Sequence, residues 1–322
     1  MNSNKELISK IEKERPNLKL NSIQSYLNSL KNICRHFNKT EKKNCELGDL
    51  TFLNKTSEVF QFIKDMPITT QKNKLNAIVV VLKATEGDKK TLDKYSQKVE
   101  DLSSKYNALQ KRQEKSEKQS KNWLEMDEIK NMTNKMFEEV KEAKLNTKST
   151  LTNKEYSQLQ NYILIRFYLK YPLRNDLADM KVIKSKKQDN KKDNFILVRP
   201  DSAYILLNDY KTVKNYGAKS YKLKPDLLKL TKLLLKHNDS GFLFTKYNRI
   251  EALNSNDLTK LLNRIFIKNT GKKISSSMLR HIQISEDKEG QETIKELEEK
   301  KNKLEDKYMH SSSMNNLYRK IE

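Results

Sequence analysis

Glycine and proline, the residues that most often interrupt helices, are scarce in this chain. There are six glycines and five prolines among 322 residues, so long stretches run without a strong breaker. Within those stretches the apolar residues recur three and four positions apart, as they do on one face of an α-helix. We therefore predict a mostly helical protein whose apolar residues, although only 35% of the chain, are clustered enough to form packed cores.

The first part of the chain has four helical patterns. They cover residues 21–37, 56–66, 69–87 and 92–109. The last pattern is a narrow apolar seam, which favours packing on the other three helices over an intermolecular coiled coil because the seam is short. We predict a small helical domain over residues 1–110.

A segment without apolar residues follows this domain. Residues 111–122 read KRQEKSEKQSKN, which is typical of a basic linker or an exposed helix end. A new apolar pattern begins at Trp123. We therefore place a domain boundary in this linker and a second domain over residues 123–322.

The second domain combines helical and β-forming patterns. Helices are predicted over 156–171, 225–237 and 255–269, the last capped by Ser255 or Asn256. Residues 194–198 and 203–210 are rich in β-formers, and 211–223 read as a turn and a returning strand. The fold class is therefore α+β, mostly helical, with a small antiparallel sheet in the second domain. The highly charged segment 286–308 is predicted to be a solvated helix or a mobile insertion.

The net charge of the chain is +23, from 65 basic and 42 acidic residues. So large an excess predicts an anionic partner, with nucleic acid, a membrane surface and an acidic protein as the candidates. No stretch approaches the roughly 18 apolar residues of a membrane-spanning helix, and the N-terminus lacks the apolar core of a secretory signal. We expect an intracellular protein without a membrane partner.

The two cysteines, Cys34 and Cys45, are too few for a disulfide framework. With His36 they would give a metal site that lacks a fourth ligand, so buried thiols in a reducing compartment are the favoured interpretation. No cluster of acidic residues suggests a catalytic metal. We predict neither a metal nor a cofactor.

Arginine is rare among the basic residues, with ten in the chain, and two of the ten lie in distinctive positions. Arg174 follows a predicted apolar helix, and Arg280 lies near the start of another, within the sequence LRH. The planar guanidinium holds a phosphate through two parallel hydrogen bonds, which lysine does not. Either arginine alone is more typical of a surface salt bridge.

Four motifs in order change that interpretation: PLR at 172–174, KT at 211–212, LRH at 279–281 and HSSSMNNLY at 310–318. Together they resemble the tyrosine recombinase (phage integrase) family over nearly the whole chain. The resemblance implies a SAM-like core-binding domain at 1–110 and a catalytic domain at 123–322 that contains the charged insertion. The chain looks like a divergent member from a virus or mobile element.

The resemblance also implies the site residues and the chemistry. A tyrosine attacks a DNA phosphodiester and forms a covalent 3′-phosphotyrosine, without metal or ATP, while cationic side chains hold the phosphate. The implied residues, in chain order, are Arg174, Lys211 (with Lys214 as the less favoured alternative), Arg280, His310 and the nucleophile Tyr318.

The chain departs from the family pattern at three points. Ser277 occupies the position, three before Arg280, where the family usually has histidine, and we include it in the site. The acid that supports the first arginine is Asp176, two residues after it rather than three. The spacing from His310 to Tyr318 is one residue shorter than usual.

Three functions remain open at this level. The first is a site-specific recombinase or integrase that binds double-stranded DNA, works as a homotetramer on synapsed DNA, and is a monomer or weak dimer when free. The second is a type IB topoisomerase with the same chemistry. The third is a catalytically decayed DNA-binding protein. The sequence does not distinguish a host nucleus from a viral replication compartment.

Overall fold

The computed structural model describes residues 2–41, 47–286 and 294–308 of the chain. Two compact units emerge from it. One contains residues 1–114 and the helix near the C-terminus, and the other contains residues 115–291.

The described N-terminal residues of the first unit form five helices. A 3-10 turn, Thr51–Asn54, lies between the second and the third of them. The helices are α1 (Asn2–Glu14), α2 (Leu20–Glu41), α3 (Thr56–Ile63), α4 (Ile68–Ala84) and α5 (Lys89–Lys111). The four predicted helices are all present. The sequence analysis missed α1, which buries only two apolar side chains, Leu7 and Ile11, on one face.

Helix α4 is the centre of this unit, and α1, α2 and α5 all pack against it. Its apolar residues are buried on several sides because three helices surround it. The seam of α5 lies in the same core, with Tyr95 and Leu102 buried. The Tyr95 hydroxyl donates a 2.7 Å hydrogen bond to the carbonyl oxygen of Leu53. The seam therefore packs within the unit, as the sequence favoured.

The cysteine prediction needs a correction. Cys34 is buried in the core of the first unit and is disulfide-bonded, whereas the sequence favoured a free thiol. Cys45 lies outside the described residues. In the parts of the chain that the structure covers, no three His, Cys, Asp or Glu side chains are grouped so that they could hold a metal ion.

Among its described residues, 115–286, the second unit contains seven helices and one sheet. The helices are α6 (Glu117–Asn122), α7 (Met126–Glu142), α8 (Asn153–Lys170), α9 (Val213–Tyr216), α10 (Pro225–Lys236), α11 (Ser255–Thr270) and α12 (Ser276–Glu286). The strands are β1 (Lys181–Ile183), β2 (Phe195–Val198), β3 (Ala203–Leu207) and β4 (Lys219–Lys222).

The predicted linker contains helical structure at both of its ends. Helix α5 continues to Lys111, and α6 forms within the linker because Ser116 and Gln119 make reciprocal capping hydrogen bonds. No side chain of α6 is buried. Lys115 lies over the ring of Trp123, with its Nζ 4.0 Å from the ring centre.

Helix α8 is the central element of the second unit. Half of its residues are buried, and they lie on all sides of the helix rather than on one face. At its start, Thr152 and Glu155 form a capping box. At its end, Tyr171 has an extended conformation (φ −126°, ψ 102°), as expected for a residue that precedes a proline. The chain therefore leaves the core sharply just before Arg174.

The sheet has the order β1-β2-β3-β4, and it is mixed. Strands β2, β3 and β4 pair antiparallel as predicted, but β1 pairs parallel with β2. The small antiparallel sheet is therefore present, and β1 adds one parallel pairing to it. Strand β1 leaves no pattern in the sequence because it has only three residues, of which one is buried.

One further detail differs from the sequence-based expectations, and another agrees with them. Asn254, rather than Ser255 or Asn256, caps α11, and its side chain accepts hydrogen bonds from the backbone N–H groups of Asn256 and Asp257. Within 286–308, residues 294–308 form a helix, α13 (Ile294–Tyr308). Its described side chains are exposed, and Glu298 pairs with Lys111 at 2.7 Å. None of the helices among the described residues has the length and apolar character needed to cross a membrane.

Candidate active site

A pocket of about 220 Å³ lies in the second unit where α8 ends. Three parts of the fold form its walls: the loop after α8, helix α12, and the β3–β4 edge of the sheet. The lining residues are Pro172, Leu173, Arg174, Asp176, Leu207, Tyr210, Tyr216, Lys219, Tyr221 and Arg280. We call it the arginine pocket.

The first wall holds Arg174 through its backbone. The Arg174 N–H donates to Oδ2 of Asp176 at 3.0 Å, and the Arg174 carbonyl accepts a 2.8 Å hydrogen bond from the Tyr168 hydroxyl. Burial raises the pKa of Tyr168, with a smaller contribution from the charge of Asp176, so this phenol remains a donor. The backbone at Arg174 is therefore held from both sides.

The second wall holds Arg280 on α12. Ser276, Arg280 and Gln283 are four and three residues apart, so they share one face of the helix. The Ser276 hydroxyl donates to Oδ1 of Asn175 at 2.7 Å. Gln283 Nε2 donates to the carbonyl of Tyr168 at 2.9 Å, near the end of α8. These contacts on either side of Arg280 turn its face of α12 toward the Arg174 loop.

Asn175 also connects this loop to a third helix. Its Nδ2 donates to Oγ1 of Thr259 at 2.8 Å and to the carbonyl of Ser255 at 2.9 Å, both in the first turns of α11. One side chain thus joins α11, α12 and the loop after α8. Because one amide that bonds several partners fixes their relative positions, the half-buried Asn175 holds the two arginine-bearing segments in one arrangement.

The electrostatics of the pocket are those of a cationic site with one internal acid. Burial raises the pKa of Asp176, although the Arg174 N–H and the charges of Arg174 and Arg280 all act in the opposite direction. Burial and the nearby charge of Arg174 lower the pKa of Arg280, although Asp176 opposes this shift. A guanidinium remains protonated in proteins. Two cations therefore face one carboxylate, and the remaining positive charge attracts an anion.

The third wall is the outermost strand of the sheet. Lys219 and Tyr221 lie two residues apart on β4, so they point to the same side of the sheet. The connection between β3 and β4 folds back over this side, and the Tyr210 hydroxyl donates to the carbonyl of Gly217 at 2.6 Å. Gly217 has φ 65°, a left-handed conformation that glycine adopts without strain.

The structure brings some of the predicted site residues together and leaves others apart. Arg174 and Arg280 line the same pocket. Lys211 is exposed in a turn, and Ser277 is exposed on α12; neither lines the pocket. Lys214, the less favoured alternative to Lys211, is exposed on α9.

His310 and Tyr318 lie outside the described residues. Lys219 was missed by the sequence analysis and lies in the wall of the pocket. The alternating segment AKSYK is a signal that it belongs to a strand.

No protein-family model matches the chain, and no curated protein matches it. Among solved structures, the chain is similar to the XerH site-specific recombinase bound to its difH substrate in a pre-cleavage complex. The identity is 16%, the TM-score is 0.49, and the match covers 87% of this chain and 72% of the other.

Proposed function

We propose that this chain is a DNA strand-breaking and rejoining enzyme of the tyrosine recombinase type. The observation that supports the proposal is the arginine pocket: Arg174 and Arg280 come from distant parts of the sequence and line one cavity beside Asp176. Two guanidinium groups at one small pocket form a site for the nonbridging oxygens of a phosphodiester.

In the proposed reaction, the Tyr318 hydroxyl attacks the phosphorus of the scissile phosphodiester. A bond forms between the tyrosine oxygen and phosphorus, and the bond between phosphorus and the 5′ oxygen breaks. The tyrosine gives up its hydroxyl proton to the surrounding water, and the leaving 5′ oxygen takes up one proton, so the products are a 3′-phosphotyrosine and a 5′ hydroxyl. Arg174, Arg280 and His310 stabilise the charge that develops on the nonbridging oxygens. The phosphotyrosine ester keeps the energy of the broken phosphodiester bond for rejoining, so the reaction needs no ATP.

The proton for the leaving 5′ oxygen needs a donor beside the phosphate. Lys211 is the residue implied by the motif order, but Lys219 lies in the wall of the arginine pocket and Lys211 does not. We therefore assign the donor role to Lys219. Ser277, three residues before Arg280 on α12, does not line the arginine pocket either, so by the same criterion we assign it no role in holding the scissile phosphate.

The proposed partner is duplex DNA. The charge of +23 favours phosphate contacts, so binding should weaken steeply as salt rises. We propose that the helical unit of residues 1–114 binds DNA together with the second unit, and that a homotetramer forms on synapsed DNA. We also propose that the protein comes from a virus or mobile element and that its reaction leads to site-specific integration.

A nicked duplex that traps the covalent intermediate tests the proposal. Wild-type protein should form a DNA adduct that survives denaturation, both with and without a chelator. Tyr318→Phe should form none, whereas the matched control Tyr308→Phe should react normally. If the wild-type protein binds duplex DNA but forms no adduct on any candidate site, the chain is a DNA-binding protein without strand-breaking activity.

The adduct alone does not separate a recombinase from a type IB topoisomerase. Plasmids with one or two target sites make this distinction. Relaxation of supercoils without exchange between sites would favour the topoisomerase, while exchange that depends on two sites would favour the recombinase.

A further inference from the structure

A second cavity lies in the same unit, near the other end of α8. Its volume is about 510 Å³, within the range of small-molecule pockets. Ser149, Thr150 and Leu151, which precede α8, form one side of it. Since α8 has 18 residues, its two ends are about 27 Å apart, so this cavity is separate from the arginine pocket.

Basic side chains outnumber acidic ones in its wall. Lys236, His237 and Arg249 line the cavity, and Asp239 is the acid beside them. The cavity lies between the N-terminus of α8 and the C-terminus of α10, whose helix dipoles have opposite effects on an anion there. The charged side chains therefore decide the sign of the potential. Lys236 and Arg249 carry two positive charges against the one negative charge of Asp239, so the wall is positive.

The imidazole of His237 has an unsatisfied atom. Its Nε2 is buried and has no hydrogen-bond partner among the described residues. A buried polar atom without a partner is costly, and such atoms in native structures often mark a ligand or an ion. His237 itself lines the cavity, so an anion bound there would lie close enough to stabilise the protonated imidazole.

Arg249 has a backbone conformation that arginine rarely adopts. It closes a tight turn, with its N–H donating to the carbonyl of Lys246, and its φ is 59°. Glycine or asparagine would be less strained there. Its Nη1 donates to the carbonyl of Leu151 at 3.1 Å, and its guanidinium lies 5.6 Å from the ring centre of Tyr156. These contacts hold the guanidinium at the cavity wall, and strained residues of this kind cluster at ligand sites.

We propose that this cavity binds a small phosphate-bearing ligand, with Arg249, Lys236 and a protonated His237 as the groups that hold the phosphate. The proposal does not depend on the recombinase function, because it concerns a different cavity with its own charges. The phosphate belongs either to a free small molecule or to a DNA strand, and the experiment below separates the two sources.

Binding should be coupled to proton uptake. Burial, followed by the charges of Lys236 and Arg249, lowers the pKa of His237, while Asp239 is the acid in the same cavity wall. A bound phosphate stabilises the protonated imidazole, so the pKa of His237 should rise on binding. The affinity for phosphate should accordingly increase as the pH falls toward the acidic side of neutral.

Proton NMR of the full chain tests this proposal, because there are only four histidines. His237→Gln assigns the His237 resonance by its loss. Titration with inorganic phosphate, against chloride at equal ionic strength, should shift that resonance to saturation, with a dissociation constant of about 1 mM for a small anion held by several charge-assisted bonds. A short DNA duplex forms the second arm of the titration.

Arg249→Asn provides the decisive variant, because asparagine tolerates the left-handed conformation and removes the charge. It should weaken phosphate binding by about tenfold or more. Arg199→Asn, at an exposed arginine between β2 and β3, is the matched control and should change nothing. If the His237 resonance shifts with the DNA duplex but not with inorganic phosphate, the bound phosphate belongs to DNA. No saturable shift with either probe, or the same shift in Arg249→Asn, would overturn the proposal.

Discussion

Ser276 donates a 2.7 Å hydrogen bond to Asn175, and this contact connects the first turn of α12 to the loop that carries Arg174. Ser276 is only 4% exposed, so the bond is shielded from water. Because Arg280 lies one turn further along α12, the Ser276–Asn175 bond determines how the two guanidinium groups face the pocket. Residues that never touch the phosphate thus control the groups proposed to bind it.

Replacement of Ser276 by alanine should therefore affect stability and catalysis together. It leaves the half-buried acceptor oxygen of Asn175 without this partner, and the free energy of unfolding should fall by about 1 kcal/mol. Adduct formation should slow by about tenfold or more, since small misplacements of catalytic groups are costly. Chemical denaturation and single-turnover cleavage measure the two effects.

Thr231→Val is the control for Ser276→Ala. It removes another buried hydroxyl, whose bond to the carbonyl of Leu227 stays within α10. We expect a similar loss of stability with an unchanged cleavage rate. Equal cleavage defects in both variants would show that Ser276 acts only through global stability.

Lysine in place of Arg174 or of Arg280 should abolish most cleavage while DNA still binds. Lysine keeps the charge but loses the planar pair of donors, so the rate should fall by about 10²–10³-fold, as when a transition-state donor is removed. Adduct formation and fluorescence anisotropy with a labelled duplex separate the two effects. An equal loss of cleavage and of DNA binding would show that the arginines stabilise the bound DNA as strongly as they stabilise the transition state.

Lys219 and Lys211 can be distinguished by the chemistry of the leaving group. A substrate with sulfur in place of the 5′ bridging oxygen leaves as a thiolate, which needs no proton donor. Lys219→Ala should cut the normal substrate about 10²-fold or more slowly and should recover on the sulfur substrate. Lys211→Ala should behave like wild type on both. Recovery in Lys211→Ala instead would return the donor role to that residue.

The start of α8 should give the second unit a specific sensitivity to acid. The hydrogen bond from Lys148, followed by those from Thr152, lowers the pKa of Glu155 from 4.5 to about 2. A lowered pKa stabilises the folded state above the unfolded value, and that stabilisation is lost as the pH falls from 4.5 through about 2. Glu155→Gln should therefore melt at a lower temperature near neutral pH, and its difference from wild type should shrink in acid.

Thermal melts across this pH range, followed by circular dichroism, measure the difference. Glu138→Gln serves as the comparison, since Glu138 forms an exposed ion pair with Lys141 at 2.9 Å on α7. Exposed pairs of this kind contribute little. A constant difference between Glu155→Gln and wild type at all pH values would show that Glu155 acts through its shape rather than its charge.

Most of the long helices could be predicted because each buries an apolar face, and burial leaves a periodic pattern in the sequence. Helix α7 was not predicted as a helix, although it buries Ile129, Met132, Met136 and Val140 at helical spacing. The two arginines could be found because each follows or opens such a helix. Helix α1 and strand β1 could not, since they bury too few side chains to leave a pattern. Lys219 was missed for a different reason: its place depends on the pairing of β4 with β3, opposite Leu207, which is fixed by tertiary contacts rather than by spacing along the chain.

Strand β4 has one neighbour in the sheet, and all four of its side chains are exposed. The arginine pocket consequently has two stiff walls and one compliant wall. The stiff walls are hydrogen-bonded to buried helices. The wall that carries Lys219 can open at a small cost in free energy, because edge elements with few buried contacts open locally, which early exchange of their amide protons reveals. We therefore expect Lys219 to move toward a bound phosphate more readily than Arg174 and Arg280 do, because its strand is held by fewer buried contacts.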